Sequence, residues 1–250
     1  MTRPNPRKTK RVSKKVLDQL RRVTTPTLTT QLLKNYRLHN VALRGVLPLD
    51  GDMPAFAGPA YTLRYAPLRE DLLPEQWMDH PANLMTPAIE DVPPGAVFLM
   101  EAGGNVDAGL LGGNIVMRLK MRDVAAAVTD GAMRDIPEIC EIGWPVCCSS
   151  IAAPPSFARL MVVDRSCPVV VGGVTVFPGD VIVGDAEGVV AVPAHLAADV
   201  AKGGLAQDHL EGWVNRRLAT GAKIKGLYPP DAKAQADYQA WIDAGEPDEV

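Results

Sequence analysis

Aromatic side chains are scarce in this chain, at 5% of 250 residues, and no apolar stretch is long enough to cross a bilayer. Apolar types still reach 47%, so the composition is that of a globular, Val-, Ala-, Gly- and Pro-rich protein rather than a disordered one. The polar, basic start lacks the hydrophobic stretch of a secretory signal, and the expected location is cytoplasmic. Excess positive charge is also missing: the formal net charge is −3, which speaks against nucleic acid as an obligate partner. Cysteine and histidine number four each. Cys140, Cys147, Cys148 and Cys167 fit neither a zinc knuckle nor a disulfide framework. Cys147 and Cys148 lie in an apolar stretch, where thiols serve as small buried hydrophobes. His39, His80, His195 and His209 are scattered without a recognisable pairing, so neither residue type is expected to carry chemistry.

The length can bury one substantial core and suits a single domain with extensions. Residues 1–15, rich in Arg, Lys and Pro, read as a solvated basic arm. Helices are predicted over Val16–Arg22 and from Thr25 to Leu33, and strands over Val41–Leu47 and Ala60–Tyr65. Ala66–Pro74 is a loop of mixed charge, and Glu75–Ile89 is helical in part, with a break near Pro81. Past Trp144 the pattern becomes β-rich. Pro145–Ile151, Leu160–Val163, Val169–Val176 and Val181–Ala191 read as short strands, with Phe177–Asp180 and Gly184–Gly188 as hairpin turns. A long helix runs from Ala194 to about Thr220 and stops at Gly221, and a last one covers Asp231–Ile242.

The middle of the chain holds the candidate chemistry. A turn, Asp91–Gly95, leads into a strand over Ala96–Met100; then come the glycine turn Gly112-Gly113-Asn114-Ile115, a helix to Met121, a strand over Val124–Val128, and Asp130-Gly131-Ala132-Met133-Arg134-Asp135. Strand, glycine turn, helix and strand in that order predict a βαβ unit. A glycine turn at a helix start presents free backbone N–H groups, which with the helix dipole suit a carboxylate or phosphate. Arg134 offers a rigid fork for a carboxylate. Asp135 offers the hard oxygen that Mg2+ or Mn2+ prefers. Ligands in open α/β sheets lie beyond the carboxyl ends of strands, so both motifs are expected to face one crevice. The glycine turn does not follow a clear first strand with the downstream ribose-binding acid that a dinucleotide site requires.

Together with Pro168–Pro193, a segment reading PVVVGGVTVFPGDVIVGDAEGVVAVP, these motifs resemble the RraA-like family. That family includes the regulator of ribonuclease activity A and the 4-hydroxy-4-methyl-2-oxoglutarate / 4-carboxy-4-hydroxy-2-oxoadipate aldolases. The likeness extends more weakly from Val23 to Pro230, through Gly58-Pro59-Ala60-Tyr61-Thr62 and the Gly221–Pro229 region. Some relatives carry a menaquinone methyltransferase label, but nothing in the chain resembles a methyl-donor site. The resemblance implies an α/β protein with the swivelling β/β/α fold, a catalytic domain over 16–205, and a helical extension over 206–250 at a subunit interface. Trimers or hexamers are implied, with sites at the subunit boundary.

The resemblance also implies a divalent-metal-dependent lyase, an aldolase or decarboxylase working through a pyruvate enolate of a small 2-oxo acid. Asp135 would hold Mg2+ or Mn2+, Arg134 would bind the substrate oxygen or carboxylate, and the backbone of Gly112, Gly113, Asn114 and Ile115 would cradle the pyruvyl carboxylate. Glu211, from the helix of a neighbouring subunit, is the candidate for an acid acting through metal-bound water. One departure stands out. Relatives often carry Asp or Glu where this chain has Gly113, and Glu101, Asp107 and Asp130 are the candidates to replace that acid. The alternative class is a non-enzymatic regulatory binding protein of the ribonuclease-regulator type, favoured by Gly113 and the basic arm. An isomerase or hydratase with the same enolate chemistry is a third.

Overall fold

The computed structural model describes residues 11–72 and 83–247. The first ten residues of the expected arm, and the expected helix and break over 75–82, lie outside the described residues. Helix α1 (Lys14–Leu20) starts at Ser13, whose Oγ accepts the Val16 N–H, so Lys14 and Lys15 belong to the helix rather than to the arm. Helix α2 (Thr25–Tyr36) is capped by Thr24 and has Pro26 in its first turn, where the missing N–H costs nothing. Asp185 anchors its start by accepting from the Thr25 N–H at 2.7 Å and the Thr25 hydroxyl at 2.8 Å.

The sheet is organised on one long strand, β2 (Phe56–Pro67), preceded by the two-residue β1 (Leu47–Pro48). Parallel to β2 run β3 (Val97–Glu101), β4 (Ala126–Thr129) and β6 (Val146–Cys148), in the spatial order β2-β3-β4-β6. Both faces of these strands are covered, which is why they read as continuous apolar runs. Side-chain alternation then feeds two cores. Phe98, Met100 and Ala127 pack with residues of α3 (Met85–Asp91), α4 (Gly113–Met121) and α5 (Ile136–Ile142). Val97, Leu99, Ala126 and Val128 fill a second core on the opposite face. The predicted βαβ unit is present as β3, α4 and β4.

On its other edge β2 pairs with β8 (Leu160–Arg165) and with β11 (Val181–Asp185), and β12 (Gly188–Val192) ends the sheet. Residues 41–48 span from that end back to the opposite one. Leu43 donates its N–H to Val189 O, Ala191 donates to Val41 O, and Leu47 and Pro48 pair with Cys148 and Cys147 of β6. The sheet is thereby nearly closed into a barrel. The expected strand Val41–Leu47 does not exist as such: its buried Val41, Leu43 and Val46 seal the seam between two sheet edges.

Three other β expectations change. Val169–Val176 is a hairpin of β9 (Val169–Val171) and β10 (Val174–Val176), reversing at Gly172 and Gly173 with φ of 56° and 76°, values that favour glycine. Phe177–Asp180 is not a hairpin turn, because β10 and β11 belong to different sheets. Asp180 fixes this crossing by accepting the N–H groups of Phe177 at 3.0 Å and Ala194 at 3.1 Å. Pro145–Ile151 also divides: β7 (Ser150–Ile151) leaves the main sheet and pairs in parallel with β5 (Ala132–Met133).

Helix α6 (Ala197–Ala219) is continuous across residue 205, but its packing partners change along its length. Ala197, Val200 and Ala201 join the core with α1, α2 and β11. Trp213 and Val214 instead pack with Leu227, and with Ala234 and Trp241 of α7 (Ala232–Asp243). No helix among the described residues is long and apolar enough to span a membrane.

Gly58 is where β2 meets the turn entering β3. A Cβ there would overlap Gly95 O and lie 3.2 Å from Val97 Cγ2, both part of the sheet framework. Gly58→Ala is expected to destabilise the protein by roughly 1–3 kcal/mol, as overpacking against backbone does. A denaturant midpoint unchanged from wild type would contradict this.

Candidate active site

Two backbone hydrogen bonds bring the glycine turn and the Arg-Asp pair together. Leu110 donates to Ala132 O at 2.8 Å, and Arg134 donates to Leu111 O at 3.1 Å. Gly109 makes room for this approach, since a Cβ there would lie 2.7 Å from Arg134 Cβ. Asp130 stabilises the preceding loop, accepting the Ala102 N–H at 2.6 Å and the Gly104 N–H at 3.2 Å. Burial raises its pKa above the usual carboxylate range, while those two backbone bonds oppose the shift.

Asp135 is the N-cap of α5 and has φ of 58°, a left-handed conformation that few residues other than glycine adopt and that Asp tolerates. Its Oδ2 accepts the N–H of Gly113 at 3.3 Å, and its Oδ1 lies 3.5 Å from Arg134 Nε. A Cβ on Gly112 would overlap Oδ2 and come within 3.3 Å of Cγ, so the glycine is what admits the carboxylate to the turn. Gly113 plays the matching part for another acid. A Cβ there would be 2.5 Å from Glu138 Oε1 and closer still to its Cδ and Oε2. Glu138 has no distinguishing sequence context; only its proximity to the turn marks it.

A cavity of about 360 Å3 opens onto this corner. Gly112, Asn114, Ile115, Arg134 and Asp135 line it together, as the crevice expectation requires, whereas Gly113 does not line it. Met85, Ile89 and Leu110 with Phe157 give it an apolar wall that the sequence did not indicate. Arg118 also lines it but is held by Glu90 through bonds of 3.0 and 2.6 Å. The size lies in the usual range for small-molecule sites.

The other acids are engaged elsewhere or lie off the cavity. Glu101 pairs with Arg64 at 3.1 Å, Asp130 caps backbone, and neither these two nor Asp107 lines the cavity. Glu211 stands on α6 and accepts from Gln207 at 2.8 Å and Tyr228 at 3.2 Å, away from the cavity lining of its own chain. The cysteines are free, with Cys147, Cys148 and Cys167 buried; burial pushes the Cys147 and Cys148 thiols up, away from the reactive thiolate. His209 sits against Tyr238 at 2.6 Å and Glu246 at 3.3 Å in the C-terminal helical cluster.

Among the described residues no group of three or more His, Cys, Asp or Glu side chains could together hold a metal. At the glycine turn Asp135 offers one carboxylate to the cavity, a hard oxygen donor of the kind with which Mg2+ is held while it keeps most of its waters. Gly112→Ala forces the Asp135 carboxylate aside without touching a sheet or helix core. Its expected result is a Mn2+ affinity weakened about tenfold or more with the thermal midpoint shifted by only a few degrees. Undiminished Mn2+ binding by titration calorimetry would separate Asp135 from the metal.

Residues 14–191 match the family described as RraA-like, Aldolase/RraA. The protein DlpA of Legionella pneumophila is 27% identical over 203 residues, covering 80% of this chain and 31% of that protein. A protein of Halalkalibacterium halodurans, provisionally named a 4-hydroxy-4-methyl-2-oxoglutarate aldolase, is 32% identical over 106 residues, covering 42% of this chain and 50% of its own length. The chain thus spans half or less of the length of these two relatives. The crystal structure of Streptomyces coelicolor RraAS2, described as an unusual member of the RNase ES inhibitor RraA protein family, superposes with a TM-score of 0.72 at 29% identity, over 82% of this chain and 98% of that one. The match over 14–191, on a nearly closed α/β barrel that sets a glycine turn against an Arg-Asp pair, makes this chain a member of the RraA-like family.

Proposed function

We propose that the chain is a divalent-metal-dependent carbon–carbon lyase, an aldolase or decarboxylase acting on a small 2-oxo acid. The observation that carries this reading is the convergence of Gly112, Asn114, Ile115, Arg134 and Asp135 on one cavity. Mg2+ or Mn2+, when bound, supplies the Lewis acid that polarises the 2-oxo group. Asp135 holds the cation directly. Arg134 receives the negative charge that develops on the substrate oxygen, and its guanidinium is oriented by the stem packed against Gly109 and Gly112. Backbone N–H groups at the start of α4 bind the substrate carboxylate, assisted by the helix dipole. Met85, Ile89, Ile115 and Phe157 receive the rest of the substrate and exclude water. The site is completed in a homotrimer or homohexamer, where Glu211 of a neighbouring subunit approaches it, and the expected setting is the cytoplasm.

The test is pyruvate release from oxaloacetate and from 4-hydroxy-4-methyl-2-oxoglutarate with Mg2+, with Mn2+ and with chelator. Release is expected to require metal, and Arg134→Ala or Asp135→Ala should each lower kcat/KM by about 100-fold or more, the scale of removing one charge-stabilising group. Equal turnover in wild type and both variants would sink the reading.

A second reading is a regulatory binding protein, favoured by the likeness to RraAS2 and by the glycine at position 113. It predicts inhibition of an endoribonuclease that persists in Asp135→Ala, and such a result without any pyruvate release would replace the first reading.

A further inference from the structure

We propose that the site selects 2-oxo acids whose far end is uncharged and apolar, a branched alkyl or aryl group rather than a second carboxylate. Phe157 determines that choice by contact, and Glu90 by withholding Arg118. The proposal deepens the lyase reading above and rests on it.

The charged residues that line the cavity are Glu90, Arg118, Arg134 and Asp135. Arg134 and Asp135 form the corner assigned to the metal and the reacting oxygens. Arg118 stands six residues along α4 from Gly112, about 9 Å by helical rise, within reach of a substrate's far end. A second carboxylate would suit it there, but Glu90 of α3 already holds its fork in two bonds of 3.0 and 2.6 Å. Arg122 reaches the same Glu90 carboxylate at 3.4 Å. The Arg118 bond holds the Glu90 carboxyl below the usual carboxylate range, so it stays ionised at neutral pH. A substrate carboxylate that took Arg118 would exchange one carboxylate for another and leave the Glu90 charge beside it. The pair selects through that lost exchange and repulsion, not through its own strength, which is small at an exposed site.

Met85 and Ile89, one turn apart on α3, form the apolar wall with Ile115 of α4 and with Phe157. Three of these serve the fold as well: Ile89 lies in the core beneath, and Met85 and Ile115 pack against it. Phe157 does not. It is 48% exposed on the short turn Ser156–Ala158 and belongs to no core among the described residues. The other three phenylalanines are withdrawn, Phe56 and Phe98 buried and Phe177 half-buried. An exposed aromatic on a cavity that also holds a few convergent polar groups has the character of a ligand contact. About 360 Å3 is more than a pyruvyl unit fills, which leaves room for a substituent of several carbons.

The bond changes need no co-reactant. In 4-hydroxy-6-methyl-2-oxoheptanoate the C3–C4 bond breaks and its electron pair passes into the C2–C3 enolate. The C4 hydroxyl proton goes to water, and C4 leaves as the carbonyl of 3-methylbutanal. The enolate takes a proton from water at C3 to give pyruvate. Phe157 and Ile115 hold the isobutyl group throughout.

The experiment is titration calorimetry of the full-length protein with Mg2+, using 5-methyl-2-oxohexanoate and 2-oxoglutarate. The two have the same shape and differ in ending on an isopropyl group or a carboxylate; neither has a C4 hydroxyl, so neither is cleaved. Wild type is expected to bind the branched acid about tenfold or more tightly than 2-oxoglutarate. Phe157→Ala should lose about tenfold on the branched acid and leave 2-oxoglutarate unchanged. Glu90→Gln frees Arg118 and should raise affinity for 2-oxoglutarate about tenfold. Equal binding by wild type, or a preference for 2-oxoglutarate, would overturn the selectivity and leave the lyase reading intact. Phe157→Ala that changes the assembly mass by light scattering but not the preference would overturn it in favour of a contact between subunits. A wild type that binds neither acid removes the proposal, and if it also releases no pyruvate with metal, the lyase reading goes too.

Discussion

The arrangement depends on the pair of backbone hydrogen bonds that tie Leu110 and Leu111 to Ala132 and Arg134. Each is an ordinary bond, contributing on the order of 1 kcal/mol. Their consequence is geometric. They fix the register between the loop entering α4 and the short strand β5, so that Arg134 and Asp135 emerge beside Gly112. Parallel pairing of β5 with β7 braces the same strand from its other side. Peptide groups, not side chains, therefore set the spacing of the site, and the neighbouring side chains are small to allow it.

That smallness explains the glycines. Gly109 admits the stem of Arg134, Gly112 admits the carboxylate of Asp135, and Gly113 admits that of Glu138. At Gly112 and Gly113 a larger residue would collide with these side chains, and at Gly109 with the Arg134 stem and the backbone oxygen of Ala152. The left-handed backbone at Asp135 belongs to the same economy: a conformation of modest cost turns the carboxylate towards the first N–H of α4 at the point where α5 begins.

The barrel supplies rigidity at a distance. The parallel strands β3 and β4 are buried on both faces, and residues 41–48 and the β9–β10 hairpin fill the remaining gaps of the second core. The C-terminal half of α6 with α7 forms a core of its own, centred on Trp213 and Trp241. The cavity is bounded by α3, α4 and the loop around Phe157, elements that lie on the outside of this barrel-like sheet.

Local chemistry was legible in the sequence wherever neighbours along the chain decide the outcome. Periodicity and capping placed α1, α2, α4, α6 and α7, and the glycine turn before a helix and the Arg-Asp pair after a strand marked one wall of the cavity. The seam at Val41–Leu47, the doubling of Val169–Val176 into a hairpin and the sheet change at Phe177–Asp180 were not legible, because an apolar run is buried equally by a strand, a plug or a crossing. Glu138 was hidden for a related reason. The resemblance implies an acid where this chain has Gly113, and the three candidates to replace it, Glu101, Asp107 and Asp130, were named by residue type alone; none of them lines the cavity. Which carboxylate fills the space over a glycine is settled by the packing of α5 on α4, a contact between elements separated by a strand. Sequence determined the types of group available and the helices and turns that present them. Tertiary structure decided which of those groups meet, since that depends on distances across the fold that no local pattern encodes.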